Sequence, residues 1–105
     1  MRSSLSAAVL GAGLLALAGC QSTGGPAVDA RVYAAQEVNI DSLTEAITRN
    51  PRDPDAYNTR GAAYARINSY DKAIADFTTA LRLDPHLGKA YANRALVEDK
   101  MQQDQ

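Results

Sequence analysis

The chain has 105 residues, 46% of them hydrophobic and 22% charged, with a net charge of −1. That length holds one small domain at most, and the near-neutral balance lacks the basic face that nucleic-acid binding requires. One cysteine and one histidine exclude an internal disulfide and leave too few ligands for a zinc site.

Residues 1–19 read as an export signal: a basic start at Arg2, an apolar run from Leu5 to Leu17, then small residues. As a helix the run would be about 20 Å long, short of the roughly 30 Å hydrocarbon core of a bilayer. The end of the signal, Leu17-Ala18-Gly19-Cys20, resembles the lipobox of bacterial lipoproteins. The resemblance implies cleavage before Cys20, a diacylglycerol thioether on its sulfur and acylation (palmitate or a similar chain) of its amine. Several acyl chains anchor a protein stably where one does not. Ala16-Leu17-Ala18 also offers an ordinary secretory cleavage site, which would leave Cys20 a free thiol. By the same resemblance, the mature protein belongs in the cell envelope. Gln21 after the cysteine points to the outer membrane if the cell has one.

Residues 20–41 are expected to be the lipidated cysteine and a flexible tether. The stretch QSTGGPAVDA has nothing to bury and would span about 15–20 Å. Residues 31–41 could be extended or a loose helix, with Val32, Tyr33 and Ile40 covering the open side of the helical unit beyond them. Ser42 and Glu45 form a capping box before the apolar face of Leu43, Ala46 and Ile47. The spacing therefore predicts a helix from about Leu43 to Asn50, stopped by Pro51.

The central stretch runs from Pro54 to Leu87. Tyr57, Gly61 and Tyr64 stand four and three apart, and Ala73, Phe77, Ala80 and Leu81 repeat the spacing. Each half fits a 3.6-residue period and predicts an amphipathic helix. Asn68-Ser69 supplies the turn, with an αL-tolerant residue and a candidate N-cap. Asp84-Pro85 ends the second helix. The alternating charges along both helices read as a solvated surface. A shift of thirty-four residues takes Tyr57 to Tyr91, and in the other direction Ala80, Leu81 and Pro85 to Ala46, Ile47 and Pro51. A fixed period of that length marks stacked helical hairpins. On Tyr57, Gly61, Tyr64, Ala73, Phe77, Ala80 and Pro85 the stretch resembles a tetratricopeptide repeat, departing from it at Arg60, where a large apolar residue is usual. The resemblance implies an all-α fold, a helix-turn-helix solenoid fragment over residues 42–101. It would hold one full repeat with half repeats at 42–53 and 88–101, before a polar tail at 102–105.

No catalytic constellation stands out. His86 lies in a turn, Ser42, Thr44 and Ser69 have no base beside them, and Asp71 and Asp76 are on different helical faces. Tyr57, Tyr64, Tyr70, Phe77 and Tyr91 are expected in inter-helix packing. The expected function is therefore non-enzymatic, with no cofactor or metal. The resemblance implies a concave peptide groove on the first helix of each hairpin, carried over to Asp55, Asn58, Ala62, Ala65 and Arg66, then Lys89, Ala92, Asn93 and Leu96, with Asp99 and Lys100 beyond. The carboxylate-clamping subclass has a lysine and an asparagine where this chain has Asn58 and Ala62, so that specificity is not expected. The partner would be a protein or peptide of the envelope. The alternative is a structural repeat that packs on copies of itself or within a longer array, since about three repeats are usually needed to bury all faces. On that reading Ala90, Tyr91 and Leu96 form an uncovered end.

Overall fold

A computed structural model describes residues 28–105. It contains four helices: α1 (Ala30–Arg49), α2 (Pro54–Arg66), α3 (Tyr70–Leu83) and α4 (Gly88–Gln103). There is no strand among the described residues. The architecture is an all-α helical repeat, with each helix packed on the next in chain order and α2 also touching α4. The signal, Cys20 and the first part of the tether lie outside the described residues.

Local chemistry sets most boundaries. Asp53 caps α2 by accepting from the Asp55 backbone N–H at 3.0 Å, and Pro54 at the first helical position loses no hydrogen bond there. The α2–α3 turn needs one left-handed residue, and Asn68 supplies it with φ 60°. The Asn68 N–H reaches the Ala65 carbonyl and the Ser69 N–H reaches that of Tyr64, at 3.1 and 2.9 Å. That pair of bonds is a Schellman closure. Ser69 holds the N-cap position of α3, but its side chain makes no capping bond. After α3, the Asp84 carboxylate accepts from the His86 N–H at 3.0 Å, a side-chain turn of the kind aspartate favours.

The first helix differs from expectation. It starts at Ala30, twelve residues before Ser42, so residues 30–41 belong to the helix and not to the tether, and of the two courses open to residues 31–41 the helical one is taken. Asp29 is the cap used, accepting from the Arg31 N–H at 2.8 Å. Ser42 is mid-helix, where no capping box can form because its backbone is already helical. Tertiary packing explains the outcome: Ile40 and Ile47, two turns apart, are both buried, and a break at Ser42 would separate them. At the other end, α4 continues to Gln103 and takes in the first two residues of the expected tail.

Among the described residues Phe77 is the largest fully buried side chain, and it packs with Ala73 and Val97. Tyr64, Ala65, Tyr70, Ile74 and Met101 close over this cluster. Ala80, Leu81 and Ala90 form a second cluster, lined by Tyr57 and Leu87. Ala90 is thus 0% exposed and does not belong to an open end, because α3 covers it. Tyr91, expected in packing, is 47% exposed. Pro85 is an exposed turn residue. Gly61 is required by close approach: a Cβ there would lie 2.6 Å from Cε1 of Phe77.

One charged pair also departs from the solvated-surface reading. The Arg60 guanidinium donates to both carboxylate oxygens of Asp76 at 2.7 Å and to Thr44 Oγ1 at 3.2 Å. It lies 5.8 and 5.9 Å from the ring centres of Tyr57 and Tyr64. A polar fork here joins α1, α2 and α3 at the position where the repeat usually has an apolar side chain. Its hydrogen bonds to Asp76 raise the Arg60 pKa, against the opposing effect of burial.

Candidate functional site: the groove between α2 and α4

The first helices of successive hairpins, α2 and α4, run side by side, and the expected groove residues lie on them. The groove has two unlike halves. Toward the start of both helices it is bridged by the chain's own side chains. The Asp55 carboxylate pairs with the Lys89 ammonium, and the Asn93 amide donates to the Asn58 amide oxygen at 3.1 Å. Asn58 is buried, so it serves the α2–α4 contact more than the surface.

Toward the ends of the helices the groove opens into a hollow of about 230 Å³. Ala62, Ala65 and Arg66 of α2 line one side, and Asn93, Leu96, Val97 and Lys100 of α4 the other, with Phe77 of α3 beneath. The small side chains of Ala62 and Ala65 create this space over Phe77. Leu96 is 57% exposed. Six expected groove residues therefore meet at one place: Ala62, Ala65, Arg66, Asn93, Leu96 and Lys100. Asp55, Asn58 and Lys89 belong to the bridged half, and Ala92 is exposed without lining the hollow. Leu96, expected both in the groove and at the end of the array, borders the hollow.

Sequence reasoning missed a second depression, of about 430 Å³, between α1 and the α2–α3 turn. Tyr33, Glu37, Ile40 and Asp41 line it from α1, and Tyr64, Ile67, Ser69 and Lys72 from the hairpin. It depends on the helical course of residues 30–41, which local propensity hid. Its lining is polar. The neighbouring Glu37 carboxylate raises the pKa of the Tyr33 phenol.

Among the described residues no group of three or more His, Cys, Asp or Glu is placed to hold a metal ion. No helix among them is long and apolar enough to cross a membrane.

Comparison with known proteins agrees with this geometry. Residues 54–87 match the tetratricopeptide repeat family. Over 57 residues the chain is 44% identical to serine/threonine-protein phosphatase T of Aspergillus oryzae, covering 54% of the chain and 12% of that protein. It is 36% identical over 72 residues to small glutamine-rich tetratricopeptide repeat-containing protein 2 of Mycosarcoma maydis, covering 69% of the chain and 20% of that protein. It is 38% identical over 55 residues to Hsp70-Hsp90 organizing protein 2 of Arabidopsis thaliana, covering 52% of the chain and 10% of that protein. The matched segments thus span 10% to 20% of these relatives' length. No solved structure matches the chain at a significant level.

Proposed function

Because residues 54–87 form a tetratricopeptide repeat, we propose that the chain is a non-enzymatic protein-binding module held at a membrane by lipid on Cys20. Its groove between α2 and α4 takes a peptide or an extended segment of an envelope protein. The observation that carries this reading is the hollow over Phe77, where Ala62, Ala65 and Leu96 leave apolar surface open between two helical walls. Relatives named for organising the chaperones Hsp70 and Hsp90 add weight to a binding role. The phosphatase relative is matched over 12% of its length, which carries no catalytic machinery to this chain.

The anchor rests on the sequence around Cys20. Cys20→Ala should leave the protein unprocessed or release it from membranes, and the mature protein should show an acyl mass increment. An intact mass without that increment would remove the anchor and leave the binding module.

A second reading, self-association or stacking within a longer array, is favoured by apolar exposure outside the groove. Val38 on α1 is 68% exposed and Tyr91 on α4 47%. Sedimentation of the delipidated chain separates the two: a concentration-dependent dimer weakened by Tyr91→Glu supports self-packing, and a monomer at high concentration excludes it.

A further inference from the structure

We propose that the hollow between α2 and α4 takes one large apolar side chain of an extended partner segment whose neighbouring residue bears a carboxylate. The apolar group would sit over Phe77, and the side-chain carboxylate would reach Arg66 and Lys100. This deepens the groove reading and rests on it.

Size comes first. A volume of about 230 Å³ is below the about 300–1,000 Å³ of sites that enclose a small molecule, and suits a single side chain. Charge comes second. Arg66 stands on the α2 wall and Lys100 on the α4 wall, and no carboxylate lines the hollow. Neither cation has an ion-pair partner among the described residues. Each lies in the last turn of its helix, where it offsets the negative end of the helix dipole. That service leaves its N–H donors free. In the bridged half, by contrast, Lys89 is already paired with Asp55, and an incoming carboxylate would meet the like charge of Asp55. The polarity of the groove therefore directs acid to the Arg66–Lys100 end. Both cations border the same hollow as the apolar anchor, so the acid must come from an adjacent residue and needs no chain end.

The test uses the full chain in detergent and short fluorescent peptides blocked at both ends, so that side chains carry the only carboxylates. Phenylalanine flanked by glutamate should bind at least about tenfold more tightly than phenylalanine flanked by glutamine. That advantage should shrink with salt. The R66E/K100E double variant, with unchanged circular dichroism, should lose the preference and favour a lysine-flanked peptide. Equal binding of both peptides, abolished by Leu96→Glu, would overturn the charge selection and leave the groove standing. Tighter binding only when the peptide's C-terminus is unblocked would overturn the internal carboxylate. Failure of every peptide to bind would overturn the groove itself as a site for extended segments.

Discussion

At the scale of single residues, the pair Arg60–Asp76 is the least exposed ion pair among the described residues. The two side chains are 17% and 8% exposed and meet through two 2.7 Å hydrogen bonds. Removing one partner of such a pair leaves the other charge partly desolvated without compensation. Asp76→Ala should therefore cost about 2–3 kcal/mol, less than a fully buried pair because Arg60 keeps some access to water. Replacing both by leucine should recover most of that loss, because an apolar pair removes the desolvation penalty along with the bond. Urea unfolding of the single and double variants reads the coupling directly. If Asp76→Ala costs under about 0.5 kcal/mol, the pair is ordinary surface charge.

At the scale of elements, α1 separates two accounts with opposite signs. Were Ser42 an N-cap, Ser42→Ala would lose about 1 kcal/mol. In the helix observed, Ser42 is exposed and makes no side-chain hydrogen bond. The same change should then stabilise by about 0.5 kcal/mol, through alanine's better helix propensity. Thermal or urea unfolding of the full chain shows the sign. The hairpin itself was legible because its signals agree: the period on Tyr57, Gly61 and Tyr64 leads into a turn residue that tolerates αL at Asn68. Phe77 then meets Gly61, the one residue small enough to admit it. The start of α1 was hidden because Asn39, Asp41 and Ser42 are poor helix formers locally, while burial of Ile40 and Ile47 overrides them. Arg60 and Asp76 were hidden for a related reason. Helical spacing places a charge on a face but cannot say that a charge sixteen residues away will meet it. In the groove, Ala62, Ala65, Arg66, Asn93, Leu96 and Lys100 were legible from the repeat register. The bridges from Asp55 to Lys89 and from Asn58 to Asn93 were not, because they depend on how closely α2 approaches α4.

At the scale of the whole molecule, the repeat is a scaffold whose faces differ in what they leave open. The Phe77 and Ala80 clusters consume the inward faces of α2, α3 and α4. Among the described residues, the surfaces left open include the groove hollow, the polar depression beside α1, and exposed apolar groups such as Val38. A binding role requires that partners be held through the hollow. The most direct measurement is quantitative mass spectrometry of proteins retained by the chain after crosslinking. The unaltered chain would be compared with Ala62→Glu and Leu96→Glu in the groove, and with Val38→Glu outside it. A specific set of proteins should be lost with both groove variants and kept with Val38→Glu, all variants having matched helical content. Retention of the same proteins by both groove variants, or their loss with Val38→Glu alone, would contradict binding through the hollow.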